Sequence, residues 1–214
     1  MNARIIIVDD HPLFRGAAAA ALAPRFEDAA ILEVGTFEGL HQVLDHDTNV
    51  DLILLDLSLP DADGLFGLLH VRARYPEIPV AIISGIDDAR IIHRAIECGA
   101  AGYIPKTQTV ETLRDAVCQI IAGQIWQPAV DALAMEIKPE DTGLAARFTR
   151  LTAQQLRVLG LLCKGMLNRQ MAQMLGITEA TAKAHVSDIL HKLGAHSRTQ
   201  AVIFAFQLNS VTNN

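Results

Sequence analysis

Residues 5–12 read IIIVDDHP, an apolar run that stops on two adjacent carboxylates, Asp9 and Asp10. An uninterrupted apolar run suits a strand buried on both faces of a parallel sheet. Two carboxylates in contact repel, and a buried one is costly unless something cationic balances it. The pattern recurs along the first 124 residues. Candidate strands are Arg4–Val8, Ala30–Val34, Asp51–Leu55, Val80–Ile83 and Gly102–Ile104. Amphipathic helical patterns follow them near Leu13–Ala23, Phe37–Leu44, Leu65–Arg74, Ala89–Cys98 and Val110–Ala122. Five βα repeats predict an α/β domain with a doubly wound, five-stranded parallel sheet.

Ligands of such sheets bind at the carboxyl ends of the strands. The first strand ends in Asp9 and Asp10, the third in Asp56, the fourth in Ser84, and the fifth leads to Lys106. Three carboxylates, a hydroxyl and a lysine therefore converge on one edge. That set suits a hard divalent cation such as Mg²⁺. A carboxylate there also suits nucleophilic attack on phosphorus, giving an aspartyl phosphate whose oxygens a lysine and a hydroxyl would bind. Each residue has a plainer role available: an Asp after a strand caps the next helix, Ser84 serves a turn, Lys106 sits solvated.

The segments VDDHPLFR, LDLSLPDADG, ISG and AGYIPK, in that order and spacing, resemble the receiver domain of two-component response regulators over Arg4 to Gln127. The resemblance implies a flavodoxin-like fold with Asp56 as phosphoacceptor. It implies Mg²⁺ held by Asp9, Asp10, Asp56 and the backbone carbonyl of Ser58. It makes Ser84 the switch hydroxyl, Tyr103 the switch aromatic and Lys106 the phosphate-contacting lysine. Movement of Ser84 toward a phosphoryl group would vacate space for Tyr103 to turn inward.

The α/β pattern ends near AGQIWQPAV. Residues 127–147 carry Pro128, Pro139 and Gly143 with mixed charge and read as a linker, with room for a short helix around Ala129–Met135. After Arg150 the pattern is helical only. Thr152 is a candidate N-cap for a helix through Cys163, and Asn168 for Arg169–Leu175. Gly176 to Thr178 form a turn, Glu179–Leu193 a longer helix, and Ser197 caps a last helix through Phe206. Two helices joined by three residues inside a basic four-helix unit suggest helix-turn-helix.

This rear segment, LTAQQLRVLGLLCKGMLNRQMAQMLGITEATAKAHVSDILHKLGAHSRTQA, resembles the DNA-binding domain of the LuxR/NarL type. The resemblance makes Glu179–Leu193 the recognition helix. Helical spacing turns Ala182, Val186, Ile189 and Leu193 inward and Lys183, Ala184, Ser187, Asp188 and His191 outward. Lys183 is assigned to a phosphate or guanine edge, Ala184 to a thymine methyl, Ser187 to phosphate or base, and Arg169 and Thr181 to the DNA backbone. Lys192 and Arg198 serve the fold or a dimer. Gln155, Gln170 and Ala182 depart from the family pattern, and Asp188 puts an anion on the presumed DNA face.

Charge divides along the same line. Residues 1–124 hold nine Lys/Arg against eighteen Asp/Glu, a balance of −9. Residues 148–214 hold seven against two, a balance of +5. The division is therefore a receiver domain at 1–126, a linker at 127–147 and a DNA-binding domain at 148–214. A basic rear domain suits double-stranded DNA. Cys98, Cys118 and Cys163 are odd in number and widely spaced, which suits a reducing cytoplasm and no disulfide framework or zinc site. No apolar run reaches membrane length. The implied partners are a sensor histidine kinase, promoter DNA and a second copy of the chain. An enzyme is not expected: a phosphatase of the haloacid-dehalogenase type needs a second Asp two residues after the first, where Ser58 stands. A nucleotide or flavin binder would need a glycine- or hydroxyl-rich loop after the first strand, and DDHPLFRG supplies acid and proline. The alternative is a receiver whose output acts through protein contacts, with weak or no specific DNA binding.

Overall fold

The structure, a computed structural model, describes residues 3–26, 30–129 and 143–209. The chain folds as two compact units, Met1–Glu136 and Ile137–Asn214.

The first unit is a five-stranded parallel sheet in the order β2-β1-β3-β4-β5. Its strands are β1 (Arg4–Val8), β2 (Ala30–Val34), β3 (Leu52–Asp56), β4 (Val80–Ser84) and β5 (Gly102–Pro105). They alternate with α1 (Pro12–Leu22), α2 (Phe37–His46), α3 (Leu65–Arg74), α4 (Ala89–Glu97) and α5 (Val110–Ile121). This is the doubly wound sheet expected from the apolar runs. Successive strand side chains point to opposite faces. Ile5, Ile7, Leu52, Leu54, Ala81, Ile83 and Ile104 therefore share one face with Leu22 of α1 and Val117 of α5. Ile6, Val8, Ile53 and Leu55, on the alternate positions, are equally buried.

β3, β4 and β5 run one residue further than the pattern suggests. Asp56 pairs with Ile83 and Ser84 with Pro105 in the ladder, and the Lys106 N–H donates to the Ser84 carbonyl at 2.7 Å. Asp56 and Ser84 thus lie on the last rungs of the sheet, while Asp9, Asp10 and Lys106 follow directly after β1 and β5. The open side of β5 is covered by Trp126: the Tyr103 N–H donates to the Trp126 carbonyl at 2.9 Å. Gly102 permits this approach, since a Cβ there would stand 2.9 Å from the Trp126 oxygen and 2.6 Å from Ile120 Cδ1.

Helix starts are capped mostly by local side chains. Thr36, Asp88 and Thr109 accept from Gly39, Arg90 and Thr112 N–H groups at α2, α4 and α5. Asp61, from the loop after β3, also accepts from the Phe37 and Glu38 N–H groups. Helix α1 differs: its N-cap position is His11, with no side-chain cap. Neither Asp9 nor Asp10 caps it, which removes the plainer role for that pair.

The second unit contains α6 (Leu144–Phe148), α7 (Ala153–Cys163), α8 (Asn168–Leu175), α9 (Glu179–Leu193) and α10 (Arg198–Asn209). Helix α6 falls in the stretch read as linker; its Leu144, Ala145 and Phe148 are buried, and it packs on α9. The possible helix at Ala129–Met135 lies mostly outside the described residues. Thr152 caps α7 in a reciprocal capping box with Gln155, and Ser197 accepts from the Gln200 N–H at the start of α10. Asn168 is not the cap of α8. Leu167 holds that position, its N–H satisfied by Gln170 Oε1, while the Asn168 amide oxygen accepts from Arg198. Gly176, with φ +66°, ends α8 in the left-handed conformation that lets the chain turn into α9.

Candidate functional site

The strand-edge site is built around a lysine. Lys106 follows β5, and its Nζ lies 2.8 Å from Asp56 Oδ2 and 2.7 Å from Asp9 Oδ2. Both carboxylates are fully buried at the ends of β3 and β1. Burial alone would lower the Lys106 pKa, but the hydrogen bond to Asp56 and the close negative charges of Asp56 and Asp9 outweigh it and raise the value. The ammonium also lies 4.7 Å from the centre of the Phe14 ring.

The remaining carboxylate oxygens are held by backbone and by a histidine. Asp56 Oδ1 accepts from the Ser58 N–H at 3.1 Å, and Asp9 Oδ1 from the His11 N–H at 2.8 Å. His11 Nδ1 lies 2.7 Å from Asp10 Oδ1 and 3.2 Å from Asp9 Oδ1. Asp10 itself is partly open to solvent. Asp9 Oδ2 accepts no aligned hydrogen bond, so its contact with Lys106 is an ion pair with acceptor capacity left over. One ligand atom from each of Asp9, Asp10, His11 and Asp56 lies within 4.8 Å of the others. Ligands about 2.0–2.1 Å from a Mg²⁺ ion stand roughly 3–4 Å apart, so this acidic pocket fits a divalent cation.

Ser84 and Tyr103 form a second layer. Ser84 is fully buried, and its Oγ accepts from the Ile86 N–H at 3.1 Å. Among the described residues no hydrogen bond joins it to Asp56. Tyr103 is also fully buried, with its hydroxyl donating to the Ile86 carbonyl at 2.7 Å. Burial pushes its pKa up to about 12, against a hydrogen bond with Ser84 that lowers it, and the Asp87, Asp56 and Asp88 carboxylates add to the rise. The aromatic is already turned in. In that position the β4–α4 loop presents the Ile86 carbonyl that holds the phenol.

Each strand-edge residue thus has a place: Asp9, Asp10, Asp56 and Lys106 meet directly, Ser58 contacts Asp56 through its N–H, and Ser84 and Tyr103 meet each other beside them. His11 and Phe14 also belong to this edge, beyond the residues expected from the strand ends. Both sit in VDDHPLFR, where the pairing of His11 with two carboxylates was available as a signal.

In the second unit α9 sorts as its spacing predicts. Ala182, Val186, Ile189 and Leu193 are buried, while Lys183, Ala184, Ser187, Asp188 and His191 lie on the open side. Thr181 at its first turn and Arg169 on α8 are exposed too. Lys192 and Arg198 are spent on the fold: Lys192 Nζ donates to the Arg150 carbonyl and Gln155 Oε1, and Arg198 to the Met166 carbonyl and Asn168 Oδ1.

Comparison with known families agrees with both halves. The family described as "Response regulator receiver domain" matches residues 5–118, and "Bacterial regulatory proteins, luxR family" matches residues 149–205. The chain is a response regulator of the LuxR family. It is 37% identical over 208 residues to the glycerol metabolism activator of Pseudomonas putida, covering 94% of each chain. It is 31% identical to the response regulator protein VraR of Staphylococcus epidermidis, covering 99% of this chain and 100% of the other. A LuxR-family DNA-binding response regulator from Silicibacter pomeroyi is 32% identical, with a TM-score of 0.51, over 59% of this chain and 96% of its own. As a response regulator with a helix-turn-helix output, the chain is a DNA-binding regulator of transcription. Among the described residues no helix is long and apolar enough to cross a membrane.

Proposed function

We propose that Asp56 is the phosphoacceptor through which a sensor histidine kinase controls this regulator. The observation that carries the assignment is the Lys106 ammonium, shared between two fully buried carboxylates. A carboxylate oxygen of Asp56 attacks phosphorus, the bond to the donor histidine nitrogen breaks, and its electron pair returns to the imidazole. Lys106 then binds a phosphoryl oxygen. Asp9, Asp10, Asp56 and the Ser58 carbonyl would hold Mg²⁺, which offsets the negative charge gathered at this edge. Ser84 and Tyr103 relay the change, Ser84 by moving its hydroxyl onto the phosphoryl group and Tyr103 through its bond to Ile86. The protein is a phosphorylated switch and not a catalyst with turnover.

The output is promoter binding by α9, with Lys183, Ala184 and Ser187 in the major groove and Arg169 and Thr181 on the DNA backbone. A homodimer doubles those contacts and matches two half-sites. Residues 1–126 act as receiver, 127–147 as linker and 148–214 as DNA-binding domain, in the cytoplasm where kinase and promoter are both reached.

The test is phosphorylation of Asp56→Asn with a small acyl phosphate or the kinase. The native chain takes up one acid-stable, base-labile phosphoryl group, and the variant takes up none. Label remaining on the variant's receiver would sink the assignment.

A further inference from the structure

We infer that Arg15 is a positioning residue for the cation-binding edge, acting through the backbone of Asp9; the inference rests on the cation reading above. Arg15 lies in the first turn of α1, where its N–H donates to the His11 carbonyl at 3.1 Å. Side chains in a helix lean toward its N-terminus, so the guanidinium returns over the β1–α1 loop. There Nη1 donates to the Asp9 carbonyl at 2.5 Å. The Asp9 N–H donates to the Val34 carbonyl on the neighbouring strand at 3.1 Å. With Oδ1 held by the His11 N–H, the backbone N–H, the carbonyl and one carboxylate oxygen of Asp9 are all hydrogen-bonded, and Oδ2 faces Lys106.

A glycine leaves room for the guanidinium. A Cβ on Gly35 would stand 3.4 Å from Nη1, already in van der Waals contact with it. Nε is buried without a hydrogen bond and lies 3.8 Å from Glu33 Oε2. Arg15 therefore ties the ends of β1 and β2 to the start of α1. It touches neither a metal ligand's carboxylate nor the reacting atoms. Its effect is to hold the Asp9–Asp10 turn in the position from which both carboxylates face Asp56.

Groups that orient metal ligands from outside the coordination sphere typically change metal affinity 10–100-fold when removed. The experiment is calorimetric Mg²⁺ titration of the full chain, with phosphorylation by acetyl phosphate measured across Mg²⁺ concentrations. Arg15→Ala is expected to raise the Mg²⁺ Kd about tenfold. The half-saturating Mg²⁺ for phosphorylation should rise in step, with the rate at saturating Mg²⁺ kept within about twofold. Arg15→Lys, which can still donate to the carbonyl, restores most of the affinity. Arg15→Met, which keeps the stem but has no donor, carries the same comparison if the alanine variant fails to fold, circular dichroism deciding which is used. An unchanged Mg²⁺ Kd in the folded variant, whatever its thermal midpoint, overturns the inference. Asp10→Asn is the control: if it also leaves Mg²⁺ binding intact, the cation reading itself has failed.

Discussion

Lys106 and Asp56 stand fifty residues apart in the chain, yet their Nζ and Oδ2 atoms are 2.8 Å apart at the sheet's carboxyl edge. The same ammonium reaches Asp9, so one cation balances two carboxylates that water does not reach. Breaking such a set by removing one partner leaves an uncompensated buried charge, which costs more than the pair itself contributes. Lys106→Met is expected to destabilise the receiver by about 3 kcal/mol in a chelator, measured by urea unfolding. Millimolar Mg²⁺ should recover part of that loss, because a divalent cation in the acidic pocket takes over the charge balance. A variant as stable as the native chain in chelator would show that the carboxylates are not mutually repelling there.

The two tyrosines report on alkaline stability. Tyr103 and Tyr75 are both pushed up to about 12, in each case first by burial, with an Asp45 hydrogen bond adding to the rise at Tyr75. Each phenol holds its proton more tightly folded than unfolded. Their contribution to stability is therefore whole below pH 10 and is lost as pH climbs toward 12. Tyrosinate absorbance should stay flat to about pH 10.5 in the native chain and appear only with unfolding or above about pH 11, while the chain in denaturant titrates near 10. A native titration centred at about 10 would contradict the buried phenol.

Much of this site was legible because its residues sit at strand ends. An apolar run followed by Asp9, Asp56 or Ser84 marks both the strand and the edge where its last side chain points. The faces of α9 were legible for a similar reason, a fixed helical period. What could not be read depends on contacts distant in sequence. The inward Tyr103 requires the Ile86 carbonyl, and the covering of β5 by Trp126 requires the space beside Gly102. The start of α8 turns on Gln170 reaching Leu167, while Asn168, by type the better cap, is taken by Arg198. Helix α6 is five residues long and stabilised by burial against α9, so its own sequence carries little periodic signal.

Gly102 gives a test of the sheet edge. An alanine there drives a methyl against Ile120 and the Trp126 carbonyl, both closer than van der Waals contact allows. Gly102→Ala is expected to cost about 1–3 kcal/mol, the usual range for overpacking. Trp126 is the chain's single tryptophan, so its fluorescence reads the edge directly. Emission should shift red and quench more readily by acrylamide as the Tyr103–Trp126 hydrogen bond is lost. Unchanged emission with unchanged stability would mean that the segment is not held by that ladder.

Gln155 and Lys192 test the second unit. Gln155 Oε1 accepts from the Thr152 N–H at 3.0 Å and from Lys192 Nζ at 2.7 Å, so a neutral amide closes the capping box and also receives a cation. A carboxylate has the same shape and keeps both bonds, while turning the second into a charge-assisted one. Gln155→Glu should therefore stabilise the unit by about 1 kcal/mol at pH 7, read from the urea midpoint. The gain requires an ionised carboxylate, so it fades as pH falls through the glutamate range near 4. It also requires Lys192. In the Lys192→Met background the same substitution should be neutral or destabilising, since the carboxylate would be buried beside no cation. Equal gains in both backgrounds would place the effect in the cap alone and remove Lys192 from the account.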